Sequence, residues 1–302
     1  MKFAILQGFG VIYGEPYLCM QYPVTEITKN SREYPERLRQ ISDSPKKLFC
    51  RGNLDLFSTE CFAVVGTRMI TAYGKEAVQK LVPPLARQFT IVSGLALGID
   101  AAAHKATLDA GGKTISVLGG PVESPSPRTN YTLANEILSR GGLIISEYPV
   151  DTTIYPVNFA VRDRIISGLS RGVLIIEADE KSGSLITAQC ALEQNRDVFA
   201  IPGNIFSPKS SGTNKLIQNG AKLVSSVTDI IQDYSMLDLK PVSTENPTER
   251  SILAILKTNG PQSMDAIITS TGVDAANIMT SLSMMEIKSM VRKTATGEYR
   301  II

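Results

Sequence analysis

The chain has 302 residues, 43% of them apolar and 20% charged, which is the composition of an ordinary folded protein of about two domains. Its 31 basic and 29 acidic residues nearly cancel, so the total charge excludes a bulk attraction to nucleic acid, and any anion site has to be local. One histidine and four scattered cysteines exclude zinc sites of the usual spacings.

The N-terminal apolar patch, residues 3–6, is too short for a signal peptide, and no run of residues approaches the length of a membrane span. We therefore expect a cytoplasmic protein with reduced thiols, no metal, no cofactor and no membrane partner. Residues 1–33 are predicted to form a short N-terminal remnant. A short helix and a strand within residues 34–52 are expected against the edge of the main sheet.

From residue 61 onward, short apolar runs alternate with helical patterns. The predicted strands are 62–65, 90–93, 113–118, 143–146, 173–176, 197–201 and 222–224, and the predicted helices are 74–88, 100–110, 131–140, 162–169, 184–194 and 214–218. This alternation predicts an α/β fold with a doubly wound, mostly parallel sheet over residues 34–233. Pro83-Pro84 is expected to kink or split the first of these helices.

The C-terminal segment has a different composition. Residues 234–247 are rich in Pro, Ser, Thr and charge and are predicted to be a linker. Residues 248–302 have three helical patterns followed by two strand-like runs around Gly297, the order of a small winged-helix domain. The third of these helices has no Lys or Arg, which favours a protein-interaction or regulatory role over reading of the major groove.

The first strand of the alternating region runs directly into Gly66-Thr67-Arg68. A strand end beside a helix N-terminus favours anions, and the guanidinium of Arg68 matches a phosphate. A plain structural turn with a solvated arginine is the alternative. Similar small-residue loops follow other strands, at residues 93–100, 118–121, 177–184 and 202–204. Several such turns meeting at one sheet edge favour a ligand site there, although doubly wound sheets need tight turns in any case.

Other motifs are weaker. Gly111-Gly112-Lys113-Thr114 enters a strand instead of leaving one, so it is not a phosphate-binding P-loop, and no Gly-x-Gly-x-x-Gly spacing indicates a dinucleotide cofactor. Asp100 and His104 lie four residues apart on one helix, with Ser93 nearby, but a structural hydrogen-bonded pair is favoured over a catalytic triad. Arg162-Asp163-Arg164 begins a helix, and at most one of its two arginines is expected to face the site.

The ordered motifs resemble those of the DprA/Smf family of DNA-processing proteins. They include Val64-Val65-Gly66-Thr67-Arg68, Val92-Ser93-Gly94-Leu95-Ala96, Gly98-Ile99-Asp100-Ala101-Ala102-Ala103-His104, Arg164-Ile165-Ile166-Ser167-Gly168, Lys181-Ser182-Gly183-Ser184 and Ile201-Pro202-Gly203, and the full set spans residues 34–232. The resemblance implies an extended Rossmann-like fold without catalysis. It also implies a dimer that binds single-stranded DNA and helps to load the RecA recombinase onto DNA during natural transformation.

With that resemblance, the expected DNA- and phosphate-binding residues can be named. They are Gly66, Thr67, Arg68, Ser93, Gly94, Gly98, Arg162, Arg164, Lys181, Ser182, Gly183, Ser184, Gly203 and Asn204. Two departures from the family pattern, Leu97 in place of an arginine and Asp163 in place of an asparagine, are expected to weaken DNA binding.

Two other classes of function remain open. One is a nucleotide-binding sensor or nucleotide hydrolase that uses the same pocket, although the Glu expected after the loop of such enzymes is missing beyond Ser184. The other is a winged-helix transcription factor with a ligand-sensing domain, which the unbasic third C-terminal helix disfavours.

Overall fold

The structure is a computed structural model, and it describes residues 22–234, 246–288, 290–294 and 297–301. The apolar patch at 3–6 and residues 235–245 of the predicted linker lie outside the described residues. The chain divides into two compact units, Met1–Asp233 and Tyr234–Ile302.

A nine-stranded sheet forms the centre of the first unit. In chain order its strands are β1 (Thr25–Thr28), β2 (Lys47–Gly52), β3 (Cys61–Val65), β4 (Thr90–Ser93), β5 (Thr114–Leu118), β6 (Leu143–Ser146), β7 (Gly172–Ile175), β8 (Asp197–Ala200) and β9 (Lys222–Leu223). Their spatial order is β1-β2-β6-β5-β4-β3-β7-β8-β9. In this spatial order, every neighbouring pair from β6 through β9 is parallel. Strand β2 pairs antiparallel with β6, and β1 pairs antiparallel with β2, at one edge of the sheet. The predicted doubly wound sheet is confirmed.

A helix follows each strand of the sheet except β2, which is followed by a 3-10 turn. The helices are α1 (Glu36–Arg39), α2 (Ala72–Ala86), α3 (Ile99–Asp109), α4 (Tyr131–Ser139), α5 (Pro156–Leu169), α6 (Ser184–Glu193), α7 (Pro208–Gln218) and α8 (Thr228–Tyr234), with short 3-10 turns at Leu54–Ser58 and Arg128–Asn130. From β3 the chain adds strands in one direction as far as β6. It then returns to place β7 on the other side of β3. The crevice between the carboxyl ends of β3 and β7 is therefore the switch point at which such sheets bind ligands.

The expected split at Pro83-Pro84 is wrong. Helix α2 continues without a break through both prolines to Ala86, so the loss is confined to the two bonds that their missing N–H groups would donate near its C-terminal end. Residues Val78, Leu81, Val82 and Leu85 are buried on this helix, and their packing holds the last turns in place.

The start of α5 also differs from the prediction. The helix begins at Pro156, six residues before the predicted start at Arg162, and Pro156 occupies the first helical position. Arg162, Asp163 and Arg164 therefore lie in the middle of the helix. Their side chains point into packed surroundings, and all three residues are at least partly buried.

The parallel strands are buried on both faces. Strand β3 is buried at every residue, as are β4, β5, β6 and β7. On one face Phe62 packs against Phe89 and Phe199, with ring centroids 5.4 and 5.7 Å apart. Such a core fixes the strand ends, and hence the loops that form the crevice.

The second unit contains α9 (Pro247–Asn259), α10 (Met264–Thr271), α11 (Ala275–Ile287), β10 (Val291–Lys293) and β11 (Tyr299–Ile301). The two strands pair antiparallel, and a separate core that includes Ile252, Ile267, Ile278 and Met285 holds the helices together. The order of helices and strands matches the predicted one, and its assignment as a winged helix stays a prediction. Among the described residues, no helix is long and apolar enough to cross a membrane.

Candidate functional site

A cavity of about 410 Å³ opens at the carboxyl edge of the sheet, between the ends of β3 and β7. The turn after β3, the start of α3, one side of α5 and the loop before α6 contribute its walls. Its charged and hydroxyl-bearing lining residues are Thr67, Arg68, Asp100, Arg162, Asp163, Asp179, Lys181, Ser182, Ser184, Thr187 and Lys209. The switch point of the sheet therefore carries a polar crevice with four cations on its lining.

Arg68 lies on the wall that the turn after β3 provides. Its side chain is exposed, with the guanidinium carbon 5.7 Å from the centre of the Phe159 ring. No carboxylate in the described part of the chain lies within ion-pair distance of it. The arginine is thus held over an aromatic face, which leaves its donors available to an anion.

The backbone of this turn is less available than the sequence suggests. The Thr67 N–H donates to the Glu177 carbonyl at 2.7 Å, and the Met69 N–H donates to the Thr67 hydroxyl at 3.2 Å. Both groups stabilise the turn itself. The side chain of Arg68 is therefore the main candidate for binding an anion on this wall.

Lys181 lies on the wall formed by the loop before α6. The loop is folded on itself, because the Lys181 N–H donates to Asp179 at 3.1 Å and the Ser182 and Ser184 hydroxyls lie 2.9 Å apart. The side chain of Lys181 is exposed, and the described residues place no carboxylate within ion-pair distance of its ammonium. Gly183 directly precedes the ten-residue helix α6, whose N-terminal end adds a partial positive charge to this wall.

Arg162 forms the floor of the crevice and is almost wholly buried, with only 4% of its surface exposed. Its Nη1 donates to the Val117 carbonyl at 2.8 Å, and its Nε lies 3.2 Å from a carboxylate oxygen of Asp163. A ligand can reach little of this guanidinium. It serves to hold α5 against the strand ends.

Two buried acids share that floor with Arg162. Asp100 accepts hydrogen bonds from the N–H groups of Gly94 and Ala96, at 3.1 and 3.4 Å. Burial raises the pKa of Asp100, and burial also raises the pKa of Asp163 to about 7, against the opposing attraction of Arg162. The crevice thus has free cations at its mouth and a partly protonated acidic floor.

Lys209 and Phe159 are among the lining residues that sequence reasoning missed. Lys209 donates to Asp179 at 3.0 Å, and this hydrogen bond is the main cause that lowers the pKa of Asp179. The predicted helix in this region began too late, at residue 214, and Pro208 at the first position of α7 was the signal for the true start. Phe159 was missed for the same reason, because the first turns of α5 were not predicted to be helical.

Three predicted site residues have structural roles near the crevice and do not line it. The Ser93 hydroxyl is fully buried and donates to the Val64 carbonyl at 2.7 Å. Gly98 has a φ of +78°, and a Cβ on it would lie 2.3 Å from the Thr67 carbonyl oxygen. Gly94 has no room for a side chain, because the Arg162 guanidinium occupies that space. The second glycine loop therefore packs against the first turn and against α5.

Three other predicted residues lie elsewhere. Arg164 is bound to Asp43 at 2.8 Å and to Glu147 at 2.8 and 2.9 Å, so its charge is satisfied outside the crevice. Gly203 exchanges two hydrogen bonds with the side chain of Asn214, and Asn204 accepts one from the Phe206 N–H. Of the fourteen predicted residues, the cavity lining contains Gly66, Thr67, Arg68, Arg162, Lys181, Ser182, Gly183 and Ser184.

The expected pairing of Asp100 with His104 is not made. The His104 Nδ1 lies 2.7 Å from the hydroxyl of Thr114, which itself donates to the Ile91 carbonyl at 2.6 Å. Burial, followed by the charge of Arg162, lowers the pKa of His104 to about 3. The imidazole is a neutral core group, with no part in a triad. In addition, the described residues contain no cluster of three or more potential ligands for a metal ion.

A doubly wound parallel sheet with an exposed Arg and Lys at its switch point defines a Rossmann-like fold with a candidate anion site. The family model for DNA recombination-mediator protein A matches residues 25–235. The chain belongs to that family.

Individual relatives agree with this assignment. The DNA processing protein DprA of Bacillus subtilis is 44% identical over 212 residues, which cover 70% of this chain and 71% of the relative. The crystal structure of DprA from Streptococcus pneumoniae has a TM-score of 0.67 at 44% identity, covering 70% of this chain and 74% of that one. A structure of DprA from Helicobacter pylori, described for its single-stranded DNA binding mode, has a TM-score of 0.63 at 32% identity. The match covers 72% of this chain and 96% of that one.

Proposed function

We propose that the crevice binds the sugar–phosphate backbone of single-stranded DNA, with Arg68 and Lys181 as the principal phosphate contacts. The observation that carries this proposal is the pair of exposed cations on two walls of one cavity, neither of them paired with a carboxylate among the described residues. Exposed, unpaired cations give up few existing interactions when they bind a phosphate, whereas a buried arginine such as Arg162 already uses part of its guanidinium on Val117 and Asp163.

The remaining lining fits a nucleic acid strand. Ser182 and Ser184 offer hydroxyl groups to a phosphate or sugar oxygen, on the same wall as Lys181. The single-stranded DNA binding described for the Helicobacter relative supports this choice of ligand over other anions.

At the level of the cell, we infer that the protein is a recombination mediator that protects incoming single strands and loads a RecA-type recombinase on them during transformation, as a homodimer. Membership of the recombination-mediator family supports this inference. A non-enzymatic role is part of the proposal, since the acids of the crevice are engaged with Arg162, Lys209 or backbone donors and none is aimed at the open cavity as a free base.

The test is the affinity for a single-stranded oligonucleotide, measured between about 50 and 200 mM salt. Arg68→Ala and Lys181→Ala should each weaken binding and reduce the slope of log K against log salt by about 0.7, the value for one lost phosphate contact on a single strand. Lys105→Ala is the matched control, because it removes an exposed cation on α3 that pairs with Asp109 and Glu136 outside the crevice. Unchanged binding by both crevice variants would reject this site.

A nucleotide-binding sensor remains the second candidate, because a cavity of about 410 Å³ is large enough for one mononucleotide. Competition distinguishes the two functions. A mononucleotide that displaces the oligonucleotide at equal nucleotide concentration would favour the sensor, whereas a strand that binds far more tightly than its monomer would favour the DNA-binding role.

A further inference from the structure

Asp163 is the feature of the crevice that the proposed DNA binding leaves unexplained. It lines the cavity with only 8% of its surface exposed, and phosphate groups are expected to enter beside it. An ionised carboxylate there repels a phosphate in a poorly solvated place, where such repulsion is poorly screened.

Charged and polar groups from four parts of the chain surround Asp163. Arg162 on the same helix lies 3.2 Å away, Asp100 on α3 repels it, and Arg68 on the turn after β3 attracts it. On α6, Thr187 donates a hydrogen bond to it, and Cys190 lies close enough to feel its charge. One buried cation, Arg162, thus faces two buried carboxylates, so a single proton on one of the acids makes the cluster neutral.

The hydrogen bonds favour Asp163 over Asp100 as the site of this proton. Asp100 accepts two backbone N–H bonds, which favour its ionised form, whereas Asp163 has one hydroxyl donor and a share of Arg162. Burial accordingly raises the pKa of Asp163 to about 7 in the free protein.

We propose that Asp163 couples occupation of this crevice to the uptake of a proton, so that single-stranded DNA binds more tightly as the pH falls. The inference rests on the proposed phosphate binding and identifies the residue that sets its strength. A bound phosphate makes ionisation of the Asp163 carboxyl still less favourable. The complex therefore keeps the proton up to a higher pH than the free protein does.

Few other groups titrate in the relevant range. The sequence has a single histidine, His104, whose pKa is lowered to about 3, and burial raises the pKa of Cys190 above its usual value. Backbone phosphodiesters do not change charge near neutrality, which leaves the α-amino group as the main competitor outside the buried cluster of Arg162, Asp100 and Asp163. That group is unchanged in an Asp163 variant, so comparison with such a variant isolates the carboxyl.

The size of the effect follows from the protonated fraction. With a pKa of about 7 for Asp163, that fraction falls by about tenfold from pH 6 to pH 8, and the apparent affinity of a proton-requiring site falls with it. The dissociation constant for the oligonucleotide should therefore rise by up to about tenfold over these two pH units at constant salt.

The experiment compares full-length wild type, Asp163→Asn and Arg68→Ala at fixed ionic strength across this pH range. We expect wild-type affinity to fall with rising pH, while Asp163→Asn, which has the same shape but no charge, keeps the tight binding at every pH. Calorimetry of wild type in buffers of different ionisation enthalpy should also show a proton taken up on binding at pH 7.5 to 8. This second measurement needs no variant, so a folding defect in Asp163→Asn leaves the test intact.

The outcomes separate this inference from the proposed function. Binding that Arg68→Ala and Lys181→Ala leave unchanged rejects the crevice as the DNA site. Arg68-dependent binding with a flat pH profile and no proton uptake overturns the role of Asp163 alone. A pH profile that persists unaltered in Asp163→Asn also overturns it, because the proton would then reside on another group.

Discussion

The guanidinium of Arg162 fills the place where residue 94 would carry a side chain. A Cβ built on Gly94 would lie 1.6 Å from Arg162 Nη1 and 2.4 Å from Cζ. The glycine of the second loop is thus required by an arginine 68 positions later, not by a ligand. This contact packs the end of β4 against the middle of α5 and holds Arg162 in place at the floor of the crevice.

Gly94→Ala should therefore destabilise the protein strongly. The methyl group has to displace a buried guanidinium from the Val117 carbonyl, and overpacking together with a lost charge-assisted hydrogen bond costs about 2–4 kcal/mol. The measurement is the free energy of unfolding in urea. Gly183→Ala is the control, since a Cβ there meets no atom within 4 Å. Equal stability of the two variants would contradict the packing described for Arg162.

The strands after β1 could be predicted to within one or two residues, because most are short, mainly apolar runs that end at a small or polar residue. Strand β1 was not predicted, since Ile27 is its one apolar residue. The roles of the arginines could not be predicted in this way. Arg162 and Arg164 are two residues apart and point to different surroundings, and Arg164 finds Asp43, 121 positions earlier in the chain. Such pairings depend on the folded arrangement of α5, whose first turns no periodic pattern had indicated.

Arg164→Ala should lower stability and leave DNA affinity unchanged. The side chain bridges Asp43 and Glu147, and only about an eighth of it is exposed. Its removal leaves the partly buried Glu147 without its partner, whereas Asp43 is largely solvated, so the cost is about 1–3 kcal/mol. Unfolding in urea and oligonucleotide binding, measured on the same preparation, give the two values. Weakened binding without loss of stability would place Arg164 in the DNA interface after all.

Glu177 holds the start of α2 by a contact that excludes a side chain at position 74. Its carboxylate accepts from the Thr71 N–H at 3.0 Å and from the Thr71 hydroxyl at 2.5 Å, and a Cβ on Gly74 would lie 2.2 Å from Oε2. Gly74→Ala should therefore be destabilising in wild type. In a Glu177→Ala background the same change should cost much less, because the contact with Ile70 Cγ1 at 3.0 Å is then the closest one left and Ala favours the helix by up to about 1 kcal/mol over Gly. A double-mutant cycle on unfolding free energies measures the difference, and additivity would refute the proposed contact.

His104 should be neutral, with its proton on Nδ1. The Thr114 hydroxyl gives its hydrogen to the Ile91 carbonyl and can only accept from the imidazole, while Nε2 is buried without a hydrogen-bond partner among the described residues. Long-range proton–nitrogen spectra should show this tautomer unchanged from pH 8 to pH 5, because the pKa of His104 is lowered to about 3. A protonation step near the ordinary value of 6.5 would show that the ring is accessible to water.

Asp163→Asn should stabilise the free protein, and by more at pH 8 than at pH 4. Burial raises the pKa of Asp163 from 3.8 to about 7, so the folded state binds the proton more tightly than the unfolded state does. Stability from this group is therefore complete below about pH 3.8 and is lost as the pH rises through 7. At about 1.4 kcal/mol per pKa unit, the variant gains at most about 4 kcal/mol on the high-pH side.

Asp179→Asn provides the control of opposite sign for that measurement. The hydrogen bond from Lys209 lowers the pKa of Asp179, so its contribution is present above the unfolded pKa and is lost in acid. Asp179 is largely solvated, and this effect should be small. Urea unfolding at a series of pH values should show the advantage of Asp163→Asn growing from pH 4 to pH 7 and then levelling off. A constant advantage across that range would mean that Asp163 is ionised in the folded protein throughout, and that the buried cluster with Arg162 and Asp100 holds no proton.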